Sequence, residues 1–191
     1  SGSLQANGGD VDIEAGGNIL LTSDSDILTR GVVSGFVRLA GGGTITLQSS
    51  TIDTTTGSGS GNAGSIWLQG SKVTLSNGSL LDAATQGRGN AGSVTVTGTE
   101  SVIFDNSEAV SRVTSSGQGL PSDVSISALQ GTIQILNGSR LSASSSFAGA
   151  PAGNITLTAR DRVVVANSRI SSRSVNEVSE DVGVVQITAQ Q

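Results

Sequence analysis

The stretch Val94-Thr95-Val96-Thr97-Gly98-Thr99-Glu100-Ser101-Val102-Ile103-Phe104-Asp105-Asn106-Ser107-Glu108-Ala109-Val110 decides the fold. It holds two apolar-x-apolar pairs, Val94/Val96 and Val102/Phe104, then an Asn, then a third apolar position at Val110. In an extended chain, alternation sends both members of a pair to one face. Segments this short, rich in β-branched residues and parted by Gly, Asn and Ser, read as strands and turns.

The same order recurs along the chain. First pairs stand at Val11/Ile13, Val37/Leu39, Ile66/Leu68, Val94/Val96, Val124/Ile126, Ile155/Leu157 and Val185/Ile187, in steps of 26, 29, 28, 30, 31 and 30 residues. Second pairs follow at Ile19/Leu21, Ile45/Leu47, Val73/Leu75, Val102/Phe104, Ile133/Ile135 and Val163/Val165. A weaker third track runs through Ile27, Ile52, Leu81, Val110, Leu141 and Ile170. Three apolar tracks at one shared period mark a solenoid. No helical periodicity of useful length offers a crossover helix, so each short strand is expected to pair in parallel with its equivalent one coil on. The expected fold is all-β, a right-handed parallel β-helix with three short strands per coil and about six to seven coils, forming one domain over residues 1–191. Its hand rests on the general crossover rule. Levels ~4.8 Å apart make a rod roughly 30 Å long.

The corners agree. Asn77, Asn106, Asn137 and Asn167 follow the second strand at intervals of 29, 31 and 30 residues. Asn tolerates the left-handed conformation of a tight corner. A structural Asn ladder is expected, its side chains hydrogen-bonding along the rod axis. The return corner varies in length and is rich in Gly and Ser, as in Thr56-Gly57-Ser58-Gly59-Ser60-Gly61-Asn62-Ala63-Gly64. The chain stops within a seventh level and shows no capping element, so it reads as a segment of a longer array with ends able to self-associate.

Composition narrows the function. The chain has 191 residues, 27 Gly, 2 Pro, 2 % aromatics, 13 % charged residues and no Cys, Met, His or Tyr. A net charge of -5 with a mean hydropathy of +0.07 does not describe a disordered chain. The acidic balance and scattered basic residues argue against nucleic acid. Lack of Cys removes disulfides and thiolate metal sites. No apolar run approaches ~18 residues, so no membrane span is expected. The start, Ser1-Gly2-Ser3-Leu4-Gln5, is not a signal peptide.

Three phrases carry a resemblance: Gly89-Asn90-Ala91-Gly92-Ser93-Val94-Thr95-Val96, Leu75-Ser76-Asn77-Gly78-Ser79-Leu80-Leu81 and Gly153-Asn154-Ile155-Thr156-Leu157-Thr158-Ala159-Arg160-Asp161. They resemble repeats of filamentous-haemagglutinin-like exoproteins of the two-partner-secretion group, most closely the cyanobacterial type. The likeness covers nearly the whole chain and is best from about Gly61 to Ser174. It implies a secreted or bacterial cell-surface adhesive rod, exported through an outer-membrane transporter, with cell-surface glycans or extracellular matrix as partners. The family's N-terminal secretion domain is not evident in the chain.

Candidate chemistry is sparse. Asp53 and Asp82 lie one period apart, with Asp105 and Glu108 expected near that column one coil on. A lyase or hydrolase would use such carboxylates for acid–base work or Ca²⁺, but a solvated acidic edge is the plainer reading. Gly8-Gly9-Asp10-Val11-Asp12 partly resembles a calcium nonapeptide, and Asp24-Ser25-Asp26 adds oxygen ligands, yet the motif does not recur in tandem. Thr columns on the first strand are interrupted by Arg38 and Trp67, which disfavours an ice-binding face. Trp67, between inward Ile66 and Leu68, should point outward as a contact residue or pack under a corner loop. The expectation is therefore a structural or adhesive rod with no enzymatic activity, cofactor or metal. The alternatives are a carbohydrate-active β-helix and a head-to-tail stacking fibre module.

Overall fold

A computed structural model describes residues 2–114, 118–147, 150–175 and 183–190. Strand β1 (Ser3–Gln5) precedes the first full coil, which holds β2 (Val11–Ala15), β3 (Ile19–Leu21) and β4 (Asp26–Leu28). The second coil holds β5 (Val37–Gly41), β6 (Thr44–Gln48) and β7 (Thr51–Asp53). The third is β8 (Ile66–Ser76) and β9 (Leu80–Asp82), the fourth β10 (Val94–Asp105) and β11 (Glu108–Val113). The fifth holds β12 (Val124–Ala128), β13 (Thr132–Leu136) and β14 (Arg140–Ser145). The sixth holds β15 (Ile155–Ala159), β16 (Arg162–Ala166) and β17 (Arg169–Ser171), and β18 (Val185–Ala189) starts a seventh level. No helix occurs among the described residues.

The chain is a parallel β-helix. Third strands stack in the order β1-β4-β7-β9-β11-β14-β17, and first strands in the order β18-β15-β12-β10-β8-β5-β2. The first track stacks as expected: Val11, Val37, Ile66, Val94, Val124, Ile155 and Val185 are successive register partners. So does the second, from Ile19 through Ile45, Val73, Val102 and Ile133 to Val163. From Val37 to Leu157 these inward residues are fully buried, which supplies the hydrophobic stabilisation of the rod. The last level leaves its aliphatic residues open, Val185 and Ile187 being 42 % and 50 % exposed.

Two features depart from the expected pattern. In the third and fourth coils the first and second segments fuse into single strands of 11 and 12 residues. The bend falls at Gly70 and Gly98, where β10 takes one extra residue between Gly98 and Ser101. The third track also shifts at one level. Ala109, not Val110, stacks between Leu81 and Leu141. Side-chain period two means that one residue of register exchanges the two faces. Interior volume at this level comes from Phe104, the largest fully buried side chain, and Val110 stands outward in the column of Asp82 and Ser142.

The corner after the second strand is left-handed throughout. Asn77, Asn106, Asn137 and Asn167 have φ of 55°, 49°, 55° and 50°, and Ser49 takes the same role at 50°. The return corner is sewn by buried hydroxyls. Thr29 Oγ1 donates to Gly35 O (2.7 Å), Thr54 Oγ1 to Gly64 O (2.5 Å), and Ser111 Oγ accepts from Ser122 N (2.9 Å). These bonds satisfy backbone groups that the strand ladders leave over.

Candidate functional site

Alternation along the first strands puts a continuous ribbon on the outside of the rod. It runs from Asp12/Glu14 through Arg38/Ala40 and Trp67/Gln69 to Thr95/Thr97 and Ser125/Ser127. Trp67 is half-buried and faces outward. Its ring is covered by Arg38, its register partner one coil below, whose Cζ lies 4.8 Å from the ring centroid. Arg38 also holds Asp12 Oδ1 at 2.8 Å and Glu14 Oε2 at 3.7 Å. Two carboxylates, a guanidinium and an indole thus form one stack along the axis, joined by ion pairs and a cation–π contact. Beside it lies a shallow groove of about 330 Å³ between Glu14, Arg38 and Gln69. Such a surface offers the exposed part of an indole and hydrogen-bonding groups to a ligand that lies along the rod.

The stacking brings Asp53 and Asp82 together as register partners. Their roles differ. Asp53 is buried, accepts from Arg30 Nε at 2.7 Å and from Thr55 N at 2.8 Å, and forms a close ion pair with Arg30 Nη2. Asp82 accepts from Ala84 N at 3.0 Å. Burial, and then the neighbouring Asp53 charge, raise the Asp82 carboxyl above its ordinary value, against the pull of the Ala84 N–H, Arg112 and Arg30. The expected extension of this column by Asp105 and Glu108 is not what the coil register produces. Val110 occupies the next position, Glu108 pairs with Leu80, and Asp105 sits at the end of β10. Glu108 lies two residues before Val110 on β11, level with Leu80 and not with Asp82. The pair is a buried, arginine-clamped carboxylate beside a protonation-prone one.

The Asn corner stacks, but not through the side-chain bonds expected of it. Gly78 N donates to Asn106 O and Gly138 N to Asn167 O, both at 2.7 Å, so the axial bonds here are made by backbone. The Asn137 amide donates to Asp105 Oδ1 at 2.7 Å, and among the described residues no hydrogen bond joins two Asn side chains at this corner. A side-chain ladder does exist at the opposite corner. Asn62 Oδ1 accepts from Asn90 N (2.8 Å), Asn90 Oδ1 from Leu120 N (2.9 Å), and Asn154 Oδ1 from Val184 N (2.9 Å). The repeated phrase Gly-Asn-Ala-Gly-Ser at 61–65 and 89–93 was its sequence signal.

Acidic groups at the N-terminal end are dispersed. Asp10 Oδ1 accepts from Phe36 N at 3.0 Å and Asp12 serves Arg38. Among the described residues no three His, Cys, Asp or Glu gather as metal ligands. Basic residues, by contrast, are less scattered than the linear sequence implies. Coil stacking brings Arg112, Arg140, Arg169 and Arg173 to the outer side of the third-strand sheet around one groove. In register, Arg169 lies beside Arg140, while Arg112 lies beside Ser144, four residues further along the same face of β14. No family model matches the chain, and no curated protein or solved structure matches it.

Proposed function

We propose that this chain is a structural and adhesive rod, displayed on a bacterial surface or secreted, that binds extended ligands along its faces. The observation that carries this reading is the outward ribbon on the first strands. It runs along the rod and combines Trp67, Arg38 and Gln69 with rows of Ser and Thr. A ligand that contacts such a ribbon gains many weak polar contacts and one aromatic anchor. The resemblance to filamentous-haemagglutinin-like exoproteins supports display outside the cell, with surface glycans or matrix as partners.

The test has two arms. Antibodies raised against the chain are expected to label intact cells of the source organism or its culture medium. Labelling confined to the cytoplasm would refute display. Beads coated with the chain are expected to be retained on glycan- or matrix-coated surfaces, and Trp67→Ala is expected to reduce retention severalfold. Failure to bind any such surface would refute adhesion. Glycan cleavage abolished by Asp82→Asn would instead identify a carbohydrate-active enzyme.

A further inference from the structure

Arg112, Arg140, Arg169 and Arg173 line one groove of about 450 Å³ on the fourth to sixth coils. Arg140 and Arg169 are register partners on adjacent strands, and Arg112 is paired in register with Ser144. Alternation puts Arg140, Ser142 and Ser144 on one face of β14, and Ser171 beside Ser142. The groove therefore has arginines on both flanks with Ser144 and Ser171 in its lining, Ser144 being hydrogen-bonded to Ser142 at 2.8 Å.

Three observations point the same way. The Nε atoms of Arg112 and Arg140 are buried and have no hydrogen-bond partner. Leaving a buried donor unmatched is costly, and Nε with one terminal nitrogen forms the fork that grips an oxoanion through two parallel bonds. Among the described residues none of the four arginines is ion-paired with a carboxylate. Like charges one coil apart repel, and they are gathered here on a chain of net charge -5. The nearby acids only moderate this field: Glu108 is the register neighbour of Arg140, and Asp82 interacts with Arg112 through space.

We propose that this groove is a binding site for a tetrahedral oxoanion, phosphate or sulfate, with Arg112 and Arg140 as the gripping forks and Arg169 and Arg173 supplying further positive charge. The same chemistry is presented by the free anion and by an ester on a sugar. The proposal does not depend on display outside the cell. Its competitor is a purely structural role, in which the arginine stems roof Ser142 and Val110 while their heads stay solvated.

Isothermal titration calorimetry on the full chain separates the two. The probes are inorganic phosphate, inorganic sulfate, glucose 6-phosphate, glucose 6-sulfate and glucose, each against chloride at matched ionic strength. Phosphate or sulfate is expected to bind saturably at one site. The double change Arg112→Gln with Arg140→Gln is expected to weaken it by about tenfold or more. Arg88→Gln, on an exposed arginine elsewhere, should leave it within about twofold, and Glu108→Gln should tighten it. Arg140→Lys keeps charge and stem but loses the fork, so it should still weaken binding severalfold if the double variant fails to fold. Equal affinity for the free anion and its sugar ester supports recognition of the group alone; tighter binding of the ester supports a sugar-borne source. Heats indistinguishable from chloride, equal losses in Arg88→Gln and Arg140→Gln, or glucose binding as well as its esters would overturn the proposal.

Discussion

Replacing Gly92 by Ala tests whether coil-to-coil contact at the return corner limits what the sequence can hold. A Cβ at Gly92 would lie 2.5 Å from the Gly64 carbonyl carbon, closer still to its oxygen, and 3.0 Å from Ser65 N. Atoms outside a residue and its chain neighbours essentially never come within 3.0 Å of its Cβ, so the fourth coil must lift off the third here. That movement strains the Gly92 N to Ala83 O bond at 2.9 Å and the Ala63 N to Asn90 O bond at 2.9 Å. Overpacking costs about 1–3 kcal/mol, and weakening one or two buried hydrogen bonds adds about 1 kcal/mol each, giving about 2–5 kcal/mol. With a urea slope of about 2 kcal/mol/M, the midpoint should fall by about 1–2.5 M at unchanged slope. Circular dichroism of the β signal measures it. Gly57→Ala is the control, because a Cβ there meets nothing within 4 Å, and it should stay within about 0.5 kcal/mol of the parent. Equal midpoints for Gly92→Ala and Gly57→Ala would refute the close-approach argument.

Three further outcomes are expected. Asp82→Asn keeps the Oδ1 acceptor for Ala84 N and removes a charge the fold disfavours. Because the folded pKa is raised, Asp82 contributes stability that is complete below its ordinary value of 3.8 and is lost as pH rises through the higher folded value; the variant should therefore be more stable than the parent at pH 7, and an equal or greater gain at pH 3 would contradict this. Asn137→Ala should cost about 1–2 kcal/mol in denaturant unfolding, since φ is 55° and a non-Asn L-residue is penalised there, while Asn137→Gly should cost clearly less; because both variants lose the bond to Asp105, equal costs would show that this bond, not the backbone, matters. Arg38→Ala uncovers the single Trp, so emission should shift to the red and acrylamide quenching should increase; unchanged quenching would mean that Arg38 does not shield the ring in solution.

The sequence alone determined the solenoid. Inward Val, Ile and Leu at a near-constant period admit one economical burial scheme, in which each short strand lies on its equivalent, and the first two tracks stack as read. It also located the left-handed corners, because Asn at a recurring position has a local backbone reason to be there. Trp67 was placed on the outside by alternation alone.

Tertiary structure decided what depends on register between coils. Ala109 rather than Val110 faces inward, because a one-residue difference in the corner preceding β11 exchanges faces, and volume in sequence cannot report it. That shift sets Val110 beside Asp82 in the outward column. It also puts Arg112 across one groove from Arg140 and Arg169. Residues about 30 positions apart become neighbours at the ~4.8 Å spacing of parallel strands, so charges that look scattered along the chain combine their fields only after the coils have stacked.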